Sequence, residues 1–134
     1  MSYIGQEPSQ VALAASDIAD DLITSAKLNY SETALTDQAT ITWNAETQDV
    51  AKVTLAGNRT LSSATSGTTG QFISLLIIQD GTGSRTLTWN AAYEFASDTA
   101  PTLTTTANLG DLFVFRYNGS KWLEVGRNQA LTLS

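Results

Sequence analysis

The sequence contains neither cysteine nor histidine. Disulfide staples, thiolate zinc sites, haem ligation, cysteine nucleophiles and every triad that uses imidazole as its base are therefore excluded, and most common catalytic chemistry goes with them. Charge is also sparse: 15% of the residues are charged, and 13 acids against 7 bases leave a net charge of −6. Such a surface repels phosphate backbones and anionic lipid, so neither nucleic acid nor a membrane is expected as a partner. Long apolar runs are missing too. The longest, Phe72–Ile78, is broken only by Ser74, and it has strand length rather than the roughly 20 residues that span a bilayer. The opening stretch Met1-Ser2-Tyr3-Ile4-Gly5-Gln6-Glu7 lacks the basic and apolar regions of a secretory signal, so use without Sec export is expected. With 134 residues, 42% of them apolar, the chain can close one core but not two.

What is present divides in two. Residues 1–37 hold Glu7, Asp17, Asp20, Asp21, Glu32 and Asp37 against Lys27, a net charge of −5, whereas residues 38–134 net −1. The first part has no aromatics besides Tyr3 and Tyr30, and its apolar residues are mostly alanine. That is too little to close a core, so residues 1–37 read as an attachment arm and 38–134 as a β domain. Pro8 keeps the start of the arm extended. Ser9 or Ser16 can cap a short helix, and Ile18, Leu22 and Ile23 form an apolar stripe on it. The stripe is buried either on the chain's own β domain or on another protein. Tyr3, Ile4, Pro8, Val11, Ile18, Leu22 and Ile23 are the candidate partner-binding residues of this extended, partly helical arm.

From residue 39 the pattern turns to period two. Ala39–Asn44 and Val50–Leu55 alternate, Gly57-Asn58 offers positive φ for a turn into Arg59–Leu61, and Arg85–Trp89 follows the turn Asp80-Gly81-Thr82-Gly83. Phe72–Ile78 is apolar at nearly every position, the mark of a strand covered on both faces. Leu103–Thr106 is a weak strand, and Asp111–Tyr117, Asn118-Gly119, Lys121–Val125 reads as a hairpin with a type I′ turn. About seven or eight strands with this spacing predict an all-β domain, an antiparallel sandwich or jelly-roll-like barrel. Phe72, Leu75, Ile77, Phe113, Phe115 and Trp122 are its expected core or subunit interface, and Trp43 and Trp89 are expected in the core as well. Two echoes run through it. Thr42-Trp43-Asn44-Ala45 returns 46 residues later as Thr88-Trp89-Asn90-Ala91, and Gly57–Ser62 returns 26 residues later as Gly83–Thr88. The offsets disagree, so reused turn solutions rather than one clean repeat are expected.

Candidate chemistry is thin. Glu46 with Asp49, Glu94 with Asp98, and Asp111 with Glu124 are the acid pairs from which a glycosidase could be built, but that needs an aromatic-lined groove around them. Asp80, Asp111 and Glu124 lack the alternating acidic loop of a calcium site. Neither Gly81-Thr82-Gly83 nor Gly67-Thr68-Thr69-Gly70 completes a phosphate-binding motif. No catalytic residue, metal or cofactor is expected. Twenty threonines and thirteen serines suit flat strands that pack closely with little side-chain entropy to lose, which points to assembly.

The segment Met1–Gln10, continuing through Ser16–Leu28, resembles the N-terminal stretches of structural proteins from tailed bacteriophages. The stretches Gly70-Gln71-Phe72 through Gly83, Thr86–Trp89 and Tyr117–Trp122 are similar to small modules at the ends of phage fibre proteins. The resemblance implies a non-enzymatic virion protein. Because no repetitive shaft separates residues 37 and 39, the arm-and-knob layout resembles a capsid decoration (cement) protein, a homotrimer that binds the major capsid protein or another virion protein on the capsid exterior after assembly in the host cytoplasm. A short head- or tail-fibre tip that adheres to the host is the alternative within the same biology, and a carbohydrate-binding module the alternative outside it.

Overall fold

The computed structural model describes residues 31–134. The arm candidates Tyr3, Ile4, Pro8, Val11, Ile18, Leu22 and Ile23, and the helix expected around them, lie outside the described residues.

The described residues form nine strands and one 3-10 turn at Ala96–Asp98. The strands are β1 (Thr33–Ala34), β2 (Thr40–Ile41), β3 (Val50–Leu55), β4 (Arg59–Leu61), β5 (Phe72–Gln79), β6 (Leu87–Trp89), β7 (Tyr93–Glu94), β8 (Leu109–Tyr117) and β9 (Trp122–Thr132). They build a six-stranded sheet in the order β1-β3-β5-β8-β9-β7 and a three-stranded sheet in the order β2-β4-β6. Up to β6 the chain alternates between the two sheets, so each strand pairs with the one laid down a full coil earlier. All of these pairs are parallel. The expected antiparallel sandwich or jelly roll is thereby corrected to a mixed architecture, in which only β5–β8 and β8–β9 are antiparallel and β7–β9 is again parallel. Parallel neighbours need a crossover that returns the chain to the same end of the sheet. Here a strand of the other sheet makes that return instead of a helix, which is why the lack of helical patterning between the strands of the β domain misled the expectation.

The coils also explain the two echoes. Thr40 pairs with Thr60, 20 residues on, and Thr60 with Thr88, 28 residues on. The shorter echo therefore spans one coil and the longer echo two. Each falls two residues short of the pairing register, a slip that keeps the same face of the strand turned inward. Both Trp-Asn-Ala copies make one turn: Asn44 Oδ1 accepts from the Glu46 amide at 3.0 Å, and Asn90 Oδ1 from the Ala92 amide at 2.9 Å.

Side chains from both sheets meet in a single core. Ile41 and Leu61 contribute from the small sheet, and Ala51, Val53, Ile73, Leu75, Ile77, Phe113, Phe115 and Trp122 from the large one. Full burial of each large side chain contributes roughly 1.5–3 kcal/mol. Trp43 and Trp122 are buried, and Trp122 donates through Nε1 to the Ala64 carbonyl at 3.1 Å. Trp89 is half-buried, edge-on to Phe113 at 5.0 Å and Phe95 at 5.1 Å between ring centroids. Its buried Nε1 has no hydrogen-bond partner among the described residues.

Four local expectations change. The compact β unit begins at Ser31, and residues 33–37, grouped with the arm on composition, supply β1, the buried Leu35 and the Asp37–Arg59 ion pair to it. Residues 103–106 form no strand, because the Thr104 amide is taken by Asp111 instead of a ladder partner. Gly57 and Asn58 have no positive φ. Asn58 Oδ1 instead accepts from the Thr86 amide of the next coil at 3.1 Å. In the β8–β9 turn only Gly119 has positive φ (96°), so the two left-handed residues of a type I′ turn are not both present, and Asn118 Oδ1 instead accepts from the Ser120 and Lys121 amides.

Candidate functional site

A cleft of about 370 Å³ opens between the end of β1 and the chain that follows it, the turn after β2 and the chain leaving β4. Its floor is Trp43, and its walls carry Thr42, Asn44, Thr47, Gln48 and Thr65. Local structure places these groups. Trp43 Nε1 donates to the Gln48 carbonyl at 2.6 Å, which closes the loop, and Gln48 Oε1 accepts from the Asn44 amide at 2.9 Å. Both amide oxygens are thus occupied inside the loop, since Asn44 Oδ1 holds Glu46. Their NH₂ groups and the Thr42 and Thr47 hydroxyls make no hydrogen bond among the described residues, and the cleft these residues line carries no charged side chain. Uncharged donors suit a neutral, oxygen-rich ligand held by hydrogen bonds. Trp43 is 1% exposed and cannot stack on a ring. Sequence reasoning read Ala39–Asn44 as a strand, Trp43 as core and Thr42–Ala45 as an echo, gave none of them to a cleft, and missed Gln48, whose contacts no local pattern announces.

Acids and bases are spent on the framework. Asp37 accepts from Arg59 Nε and Nη2, both at 2.8 Å, and this bond holds its carboxyl below the usual carboxylate range. One coil on, Arg85 grips Asp80, with Nη2 to Oδ2 at 2.8 Å. That bond, with the Gly83 and Thr82 amides, brings the Asp80 pKa down to about 2. Burial pushes the Tyr93 phenol up, and its hydroxyl donates to the Ser62 carbonyl at 2.9 Å.

In two of the acid pairs suggested by spacing, acids are held by other partners. Glu94 pairs with Lys121 at 2.8 Å, and Asp111 accepts from two backbone amides and Gln129. Glu124 Oε1 lies 2.8 Å from Arg127 Nε, but off line, and the hydrogen bond proper runs from Nη2 to Oε2 at 3.2 Å. No group of three potential metal ligands occurs among the described residues. Leu75, Ile77, Phe113, Phe115 and Trp122 come together in the core. Phe72 does not: it is 56% exposed on the opposite face of its sheet, the one exposed aromatic among the described residues.

Residues 35–122, about two thirds of the chain, match a family described as "Putative phage tail fibre C-terminal domain". The match begins at Leu35, the first buried residue of the β unit, and ends at Trp122, at the start of β9. No curated protein matches the chain.

Proposed function

Because the chain belongs to the phage tail fibre C-terminal domain family and is a structural component of a phage virion, we propose that its β domain is the host-facing end of a tail fibre and acts as an adhesin, without catalysis. The family match carries this reading. It falls on the β domain itself and favours the fibre tip over the capsid decoration protein, whose support was the missing shaft between residues 37 and 39. The uncharged cleft over Trp43 is the contact that a neutral, hydroxyl-bearing surface group of the host would use. A stacking groove of the kind a carbohydrate-binding module presents is absent among the described residues, because Trp43 and Trp122 are buried and Trp89 is packed among rings.

Two measurements test this. Antibody against the β domain should label fibre ends in electron micrographs of the virion; label spread over the capsid shell would restore the decoration reading. Purified protein should compete with phage for adsorption to host cells, and Thr42→Ala with Thr47→Ala, both at exposed positions, should weaken the competition without lowering the melting temperature. Undiminished competition by that variant would remove the cleft from the contact.

A further inference from the structure

Asn118-Gly119 in the β8–β9 turn is the only Asn-Gly pair in the sequence. Asn118, Gly119 and Ser120 are all exposed. Asn118 Oδ1 accepts from the Ser120 amide at 2.9 Å and from the Lys121 amide at 2.7 Å. Two N–H groups at this range polarise the side-chain carbonyl and are placed to hold an oxyanion that forms on it. The groups beside it are free. Neither the Gly119 amide nor Asn118 Nδ2 makes a hydrogen bond among the described residues, and without a Cβ at residue 119 no side chain shields its nitrogen.

Other sites lack one of these conditions. The amides that follow Asn44, Asn58 and Asn108 are spent on the Thr65, Thr86 and Thr106 carbonyls. Asn90 Oδ1 accepts from the Ala92 amide alone, and the next nitrogen, that of Ala91, carries a side chain beside it. Asp80-Gly81 has the same frame, since Asp80 Oδ1 accepts from the Thr82 amide at 3.1 Å and the Gly83 amide at 2.9 Å. Its carboxylate, with a pKa of about 2, stays ionised and repels a nucleophile.

We propose that Asn118 is a site of spontaneous modification, at which the Gly119 nitrogen attacks Asn118 Cγ and residue 118 becomes aspartate or isoaspartate. The bond from the Gly119 nitrogen to Cγ forms and the bond from Cγ to Nδ2 breaks. Nδ2 leaves as ammonia with the proton that the Gly119 nitrogen gives up, and a cyclic imide remains. Water then opens the imide at either carbonyl, so no reagent but water is consumed. The two products differ in their effect on the fold. Aspartate keeps an acceptor for both amides and adds one negative charge. Isoaspartate carries the main chain through Cγ, which adds one atom to the turn and withdraws the side-chain acceptor. The turn is closed by the Asn118 amide donating to the Lys121 carbonyl at 3.0 Å, and it sets Tyr117 opposite Trp122. The lengthened chain displaces that register. The turn is thus a slow, one-way timer at the closed end of the longest hairpin.

The test incubates the folded full chain at mildly alkaline pH, where the Gly119 nitrogen gives up its proton more readily. Trypsin cuts after Arg116 and Lys121 and releases Tyr117–Lys121 as one peptide, whose mass rises by about 1 Da when NH₂ becomes OH. Conversion at Asn118 is expected to run at least about tenfold faster than at Asn90, and within about tenfold of its rate in the same chain unfolded in guanidinium chloride. A slower folded rate, or one no faster than at Asn90, overturns the proposal. Hydroxylamine, which opens a cyclic imide, should cleave the folded chain between residues 118 and 119, and an uncut chain overturns the imide route. Gly119→Ala should slow conversion by about tenfold or more whether or not that variant folds, and an unchanged rate contradicts the role of the unshielded nitrogen. The isoaspartate fraction should melt below the Asn118→Asp chain, and equal melting overturns the displaced register. The inference does not rest on host attachment: conversion at Asn118 is read on the protein alone.

Discussion

Asp111 offers the sharpest test of how this fold is held. Its carboxylate is 2% exposed, in β8 at the register shift between Gly110 and Leu112. Oδ2 accepts from the Thr104 amide at 2.7 Å and from Gln129 Nε2 at 3.2 Å, and Oδ1 accepts from the Ala130 amide at 3.0 Å. One side chain thus ties the strandless stretch around Thr104 and the end of β9 to the central strand pair. Asparagine has the same shape but only one acceptor oxygen, and its NH₂ must face an N–H donor. Each hydrogen bond to a charged group contributes roughly 1.5–3 kcal/mol. Ala130 is exposed and Thr104 half-buried, so water recovers part of what is lost. Asp111→Asn is therefore expected to cost about 2–3 kcal/mol, and at about 4–8 °C per kcal/mol for a domain of this size the melting temperature should fall by about 10 °C or more. Urea unfolding followed by tryptophan fluorescence measures the difference, with an unchanged denaturant slope showing that the unfolded state is unaltered. A loss below about 0.5 kcal/mol, the range of ordinary surface substitutions, would refute the reasoning.

Three further outcomes are expected. A Cβ at Gly67 would lie 2.5 Å from Cζ2 of the fully buried Trp122, so Gly67→Ala should cost about 1–3 kcal/mol in the same assay, and a neutral result would mean that the indole can shift. Asp80 has a pKa of about 2 against an ordinary 3.8 because Arg85 and the Gly83 and Thr82 amides hold the charged form. Its stabilisation is complete above the unfolded value and is lost as pH falls from about 4 toward about 2, a slope that Asp80→Asn should flatten in melting curves taken across that window. A chain beginning at Ser31 should melt well above one beginning at Gln38, which lacks Leu35, β1 and the Asp37–Arg59 pair; burying one leucine alone contributes roughly 1.5–3 kcal/mol, and equal melting temperatures would place residues 31–37 outside the core.

Alternation is a local property, and where it acted alone on a strongly patterned stretch the sequence was a sufficient guide. Val50–Leu55 and Arg59–Leu61 were legible to the residue, and Phe72–Ile78 to within one, because β-branched and apolar residues at period two suit only a pleated strand. The lack of cysteine and histidine narrowed the chemistry in the same direct way. Pairing is different. Whether β3 meets β5 parallel or antiparallel depends on where the chain travels between Leu55 and Phe72, and that path through the second sheet leaves no period behind it. The assignment of Leu75 to the core and Phe72 to the outer face could not be read from a strand apolar on both sides, since only the position of the other sheet breaks the tie. Gln48 reaches the cleft, and Asp111 clasps Thr104, Gln129 and Ala130, through contacts between segments remote in sequence. Such contacts exist only after the coils have stacked, when burial makes each unpaired donor costly and the nearest acceptor decisive.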